Sequence, residues 1–133
     1  MGNVVTIEAN KLVTSSVTGA AYTAATGAIN LALTTVVGSA SAPGTEVSNS
    51  PGPGSYARVA TTGGWGTASG GTITNTGTFS FTSMPSCTIV GIELWDSAGT
   101  PVQRWFGALT ASKVVNVGDT VTFAASSITI SLT

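Results

Sequence analysis

Short runs of alternating apolar and polar residues recur along the chain, each bounded by residues that turn it. In AINLALTT (28–35) Ile29, Leu31 and Leu33 fall on one side of an extended backbone, and in TFSFTSM (78–84) Phe79 and Phe81 do the same. Near the end Val121 alternates with Phe123, and Ile128, Ile130 and Leu132 alternate through SITISLT (127–133). A period of two is the signature of β-strands with one buried face. Between the runs stand stretches rich in Gly, Pro, Ser, Asn and Asp, at 38–55, 61–72, 96–101 and 116–120. These residues permit or force turns. The first stretch is too rich in Pro and Gly for a helix or a central strand, and reads as an extended surface loop or an arm lying on a neighbour. ANKLVTSSV (9–17) alone is compatible with a helical turn or two, with Asn10 as its cap, although its Thr, Ser and Val content is poor helix material.

With 133 residues the chain is expected to be one domain around one core. The pattern predicts a single antiparallel β-sandwich or barrel of about seven to nine strands over 19–133, preceded by an arm or short helix over 1–18.

The stretch GIELWDSAGTPVQRWFG (91–107) reads as a hairpin. Asp96, Ser97 and Ala98 followed by Gly99 suit a three-residue turn with a left-handed position, which sets Leu94 opposite Val102 and Glu93 opposite Gln103. Glu93, Trp95 and Trp105 then share one face, and Ile92, Leu94, Val102, Arg104 and Phe106 the other. A two-residue turn at Ala98 and Gly99 would set Glu93 opposite Arg104 as a cross-strand ion pair. Turn chemistry favours the first arrangement. Aromatic rings mixed with sparse polar groups are typical of contact surfaces, while a place in the domain's own core is the plainer alternative for each tryptophan.

Composition changes the picture more than length does. Charged residues make up 7% of the chain, whereas soluble domains average about 25%. A surface so short of charge is expected to be covered by copies of itself or by a partner. The net charge is −1, and Lys11, Arg58, Arg104 and Lys113 are scattered, so no basic stripe exists to follow a phosphate backbone. Residues 12–45 carry no charge, but Thr, Gly and Asn dilute them below what membrane insertion requires. The N-terminus has neither the basic start nor the apolar run of a secretion signal. MGNVVT does match the loose N-myristoylation pattern, one that arises often by chance.

Candidate chemistry is thin. The chain has no His and one Cys, so neither a Ser/His/Asp triad nor a His-containing metal site is available. Cys87 reads as a small apolar filler beside a strand. Glu93 and Asp96 are the one candidate carboxylate pair of the glycosidase type, but three positions apart they face opposite sides of a strand and Asp96 enters a turn, which argues against it. TTGGWGTASGG (61–71) lacks the lysine of a phosphate-binding loop and reads as a tightly bent β connection. Asp119 in VGDT is expected to cap its own turn. The chain is therefore expected to be no enzyme and to need no cofactor or metal.

The order YARVA (56–60), Trp65 in a loop, GGTITNTGTFSF (70–81), GIELWDSAGTPVQRWFGALTASKVVNVGDTVTF (91–123) and SITISL (127–132) resembles a family of small structural proteins of tailed bacteriophages, especially those of actinobacteria. The similarity runs over residues 19–133; SMPSCTIVG (83–91) departs from it, as does 1–18. Members are described as tail-fibre-like, minor capsid or head decoration proteins, so the resemblance implies a virion component. On this basis the expected role is capsid decoration: a homotrimer on the head exterior that bridges subunits of the major capsid protein, with no nucleic acid or membrane partner. The alternative is a tail-fibre or tail-tip module whose aromatics stack on cell-surface glycans. The expected contact residues are Trp65, Trp95 and Trp105, with Glu93, Arg104, Pro51 and Pro53, and the 43–54 loop or the N-terminal arm is expected to add an edge strand to a neighbour.

Overall fold

A computed structural model describes residues 3–50 and 52–132. Its elements, in chain order, are β1 (Asn3–Val4), α1 (Thr6–Thr18), β2 (Asn30–Val36), β3 (Thr45–Glu46), β4 (Val59–Ala60), β5 (Thr72–Thr74), β6 (Phe79–Phe81), β7 (Cys87–Trp95), β8 (Gln103–Val115), β9 (Val121–Phe123) and β10 (Thr129–Ser131). All strand pairs are antiparallel. The main sheet runs β1-β8-β7-β2-β3, with β4 paired to β2 beside β3; β5 with β10 and β6 with β9 form two small ladders. Leu31, Leu33, Ile89 and Leu94 of the main sheet share one buried cluster with Phe79, Phe81, Met84, Ile128 and Ile130 of the ladders and their flanks. The two layers therefore enclose a single core, and the fold is an antiparallel β-sandwich with one helix, as the alternation predicts.

The four runs singled out for their period of two are strands β2, β6, β9 and β10. Leu31 and Leu33 of β2 face the core, and Phe79 and Phe81 of β6 face it from the other layer. Tyr56 stacks on Phe81, and Phe123 meets the edge of Phe81, so the aromatic rings knit the second layer together. Asn75, fully buried, ties the two ladders to each other. Its Nδ2 donates to the carbonyls of Gly77 (2.7 Å) and Ala124 (2.8 Å), and its Oδ1 accepts from the Ile128 N–H (2.8 Å).

The helix is longer than the sequence predicts and starts earlier. It begins after Val5, which provides no side-chain cap, so Asn10 lies inside it. Thr6 N–H donates instead to the Ala40 carbonyl (2.8 Å), a contact between distant segments that local propensity does not register. Gly19, left-handed at φ 71°, closes the C-terminus by donating to the Ser15 carbonyl. Glu8 is the helix's buried residue, whereas Ile7, Val13 and Val17 are exposed, Val17 to 78%.

Segments expected to reach toward a neighbour pair within the chain. In β1 the N-terminal arm adds an edge strand to β8, with Asn3 opposite Phe106 and Val4 opposite Trp105. Within the Pro/Gly-rich 38–55 stretch, Thr45 and Glu46 pair with β2 and Val47 is buried, so the stretch is only partly surface loop. The connection at 61–71 is bent as expected, Gly63 and Gly71 holding positive φ. Asp119 also does what its turn predicts, its carboxylate accepting the Asn116 N–H at 3.0 Å.

Candidate functional site

The hairpin at 91–107 adopts neither predicted register. Trp95 lies opposite Gln103, Leu94 opposite Trp105 and Glu93 opposite Phe106, with a bulge at Arg104. The cause is Asp96. Its backbone N–H donates to the Val102 carbonyl, and its Oδ1 accepts the N–H groups of Val102 (2.8 Å) and Ala98 (3.3 Å). A five-residue loop, 97–101, is thereby closed by a side chain rather than by a tight turn. The bulge shifts the faces: Trp105 moves to the side of Leu94, and Phe106 to that of Glu93 and Trp95. The ion pair between Glu93 and Arg104 does not form.

Arg104 instead sits between two carboxylates. Its Nη2 lies 2.6 Å from Asp96 Oδ2, and its Nη1 lies 2.5 Å from Glu8 Oε2 on α1. All three side chains are buried, and the hydroxyl of Tyr22 closes the cluster by donating to Glu8. Partial desolvation of the Tyr22 hydroxyl, with Glu8 holding its proton, raises that phenol to about 12 although the ring is exposed. Burial acts to raise the Asp96 carboxyl, but the Val102 N–H, the Arg104 guanidinium and the Ala98 N–H outweigh it, and Asp96 is held below the usual carboxylate range. A depressed folded-state value means that this contribution is fully present above about pH 4, the unfolded-state value, and is lost as pH falls through the folded one. The melting temperature is therefore expected to stay level on this account from pH 7 to about 5 and to fall below about pH 4, and Asp96→Asn to flatten that acid limb. Thermal melts of both proteins across this range check it.

On the opposite face of the main sheet, Glu93 is only 1% exposed and accepts three hydrogen bonds: from Gly44 N–H (2.6 Å), Trp95 Nε1 (2.9 Å) and Gln103 Nε2 (2.9 Å). These bonds fold the 38–44 loop down over the sheet, so closely that a Cβ on Gly38 would stand 2.4 Å from Glu93 Oε1. The Arg58 guanidinium lies over the Trp95 ring at 4.2 Å and chelates Glu46 through Nε and Nη2. Glu46 also accepts the Tyr56 hydroxyl proton (2.8 Å), and Tyr56 Oη accepts the Leu33 N–H (2.9 Å). Hydrogen bonding to Glu46 raises the Arg58 guanidinium further. This network went unremarked in the sequence, though Tyr56 and Arg58 two apart in YARVA carry the signal that both point the same way.

Of the expected contact residues, Glu93 and Arg104 are corrected: at 1% and 6% exposure they are interior groups with internal partners. The three tryptophans are half-buried. Trp95 belongs to the Glu93 face, whereas Trp65 and Trp105 meet in one cleft of about 260 Å³, lined also by Tyr22, Ile130, Glu8 and Arg104. Pro53 is exposed, and Pro51 lies outside the described residues. Cys87 is a free, half-buried strand residue packed against the core, and burial raises its thiol. Among the described residues no helix is long and apolar enough to cross a membrane.

Buried ion pairs thus lock a helix and a loop to the sandwich. A family model described as podophage GP4 fiber I protein gp80 matches residues 3–131. The chain belongs to this family of phage fibre proteins, and is thus a structural protein of the virion. A comparison with curated proteins gives no match.

Proposed function

We propose that the protein is a non-enzymatic subunit of the phage tail fibre, held in place by contacts with copies of itself and with neighbouring tail proteins. The observation that carries this reading is the match to a phage fibre family over residues 3–131. The description of that family favours the tail over capsid decoration, and with the tail goes a set of partners other than the major capsid protein.

The chemistry of the surface supports the assembly role. Of the nine charged side chains that the sequence counts, Glu8, Glu93, Asp96 and Arg104 are buried. The outside keeps few charges and presents Ile7, Val13, Val17 and Val114 to solvent. Apolar area of that kind is stabilised by being covered, and each added contact site on a symmetric assembly multiplies the hold through effective concentration. The test is to label the protein on intact virions and to count its copies against the major capsid protein. Label at the tail, with a copy number set by tail symmetry and far below that of the capsid protein, is the expected result. Label spread over the head at a copy number comparable to that of the capsid protein would overturn it.

A further inference from the structure

We propose that the outward face of α1 pairs with the same face of a second copy of the chain, the two helices running parallel and in register. The inference rests on the assembly role proposed above and names the surface that carries it. It starts from a helix whose polarity is inverted. Glu8, Lys11, Leu12 and Ser15 are buried or half-buried against the domain, whereas Ile7, Val13 and Val17 are each more than half exposed. At 3.6 residues per turn, Thr6, Asn10, Val13 and Val17 form one row on the side away from Glu8. Their spacing of four, three and four residues is that of a coiled-coil seam, with Asn10 and Val17 at a positions and Thr6 and Val13 at d.

Charge and Asn10 select the partner. The helix keeps both its charged residues, Glu8 and Lys11, off the row, so two identical faces meet without like-charge repulsion and a charged partner finds no counter-charge there. Asn10 is exposed in the middle of the row, and its amide, both donor and acceptor, complements its own kind. A parallel pair in register sets Asn10 against Asn10. An antiparallel pair sets Asn10 against Val13 and Thr6 against Val17, which leaves the amide facing an aliphatic group. A single polar a position of this sort is what fixes register between parallel helices.

The size of the surface sets the strength. On one flank Ala20, Ala21 and Thr23 run back beside Asn10 and Thr14, which leaves free a strip as wide as one helix. Near the start of the helix, Ile7 joins the row to an apolar groove between Pro43, Trp95 and Pro101, so a partner has more than the seam to cover. A helix of 13 residues is nevertheless only about 20 Å long and about 10 Å wide, well short of the roughly 800 Å² per partner of a standard interface. Free chains therefore pair weakly. The helix is already formed and held to the sandwich through Glu8 and the Ala40 carbonyl, so pairing carries no cost of folding it, and copies held side by side in an assembly gain the full effect of proximity.

The test is sedimentation equilibrium of the full chain over a range of concentrations. The average mass is expected to climb from that of one chain toward that of two, with a midpoint on the order of 100 μM. Val13→Glu and Val17→Glu change exposed side chains to a better helix former, so they leave the fold intact, as circular dichroism checks, and each is expected to weaken pairing at least tenfold. In Val17→Cys, air oxidation with a copper catalyst is expected to join position 17 to position 17 of the other copy, which peptide mapping distinguishes from any link to Cys87. A wild type that stays at the mass of one chain up to about ten times that midpoint overturns the proposal. So does pairing that Val13→Glu and Val17→Glu leave unchanged, or a paired protein that forms no link between the two positions 17. A single-chain protein whose Val17→Glu form is lost from virions assigns the face to another virion protein, and also overturns it. Pairing through α1 in a protein labelled on the head would fault the tail placement alone, and an unpaired protein labelled on the tail this inference alone.

Discussion

Arg104→Met is expected to lower the stability of the domain by about 3–5 kcal/mol, the usual cost of removing one partner from a buried ion cluster. The side chain is 6% exposed and bridges Glu8 on α1 to Asp96 in the hairpin loop. Methionine fills a similar volume but leaves two buried carboxylates facing each other with no cation between them. Arg104→Lys is expected to recover less than half of the loss, because an ammonium cannot fork to two carboxylates as a guanidinium does. Glu8→Leu combined with Arg104→Met is expected to cost less than the sum of the two single changes, since the double variant removes both members of one pair. Asp96 then keeps its bonds to the Val102 and Ala98 N–H groups. Urea unfolding of the wild type, the three single variants and the double variant measures these differences. In Arg104→Met the amides of α1 are expected to exchange with solvent well before global unfolding, because Glu8 is the residue by which the helix is buried. A loss in the double variant equal to the sum of the two single losses would show that the cluster adds nothing as a unit.

Asn75→Ala is the second large effect, expected at about 3 kcal/mol or more. Truncation strands a donor and an acceptor at once, the Ile128 N–H and the Gly77 carbonyl, in a place where Asn75 itself has no exposure, while the Ala124 carbonyl keeps the Ser127 N–H and hydroxyl. A buried polar group left without its partner costs about 1–3 kcal/mol, and the two lie too close together to be counted as independent. Asn75→Asp is nearly isosteric and keeps the acceptor for Ile128. It is nevertheless expected to be no more stable than the alanine variant, because it turns the donor toward Gly77 and Ala124 into a second acceptor and buries a charge. The midpoint of urea unfolding is the measurement. A change below about 1 kcal/mol would mean that solvent replaces the side chain and that the two ladders are not joined through it.

How far the chain could be read without coordinates varies with the range of the interactions involved. The strands at Asn30–Val36, Phe79–Phe81, Val121–Phe123 and Thr129–Ser131 follow from alternation, because one buried face is a property of consecutive residues. The hairpin register does not. Its turn residues favour a tight loop, yet the register observed depends on the Asp96 carboxylate and on an Arg104 partner 96 positions away in α1. The helix is long for the same reason: Thr and Val disfavour it locally, while Glu8 and the Ala40 carbonyl hold it. Of the candidate residues, the tryptophans stood out by type, but their grouping did not. A bulge at one residue moves Trp105 away from Trp95 and toward Trp65, and no pattern within 91–107 records where Trp65 lies.

One irregularity of the main sheet bears on whether copies of the chain can pair edge to edge. Between Ala108 and Lys113 of β8 four residues stand opposite the single Val90 of β7. Leu109 to Ser112 therefore interrupt the outer rim of the sheet beyond the short cover that β1 gives it, and a rim broken in this way is a poor template for a foreign strand. Newly made copies are protected from zipping together rim to rim into disordered aggregates.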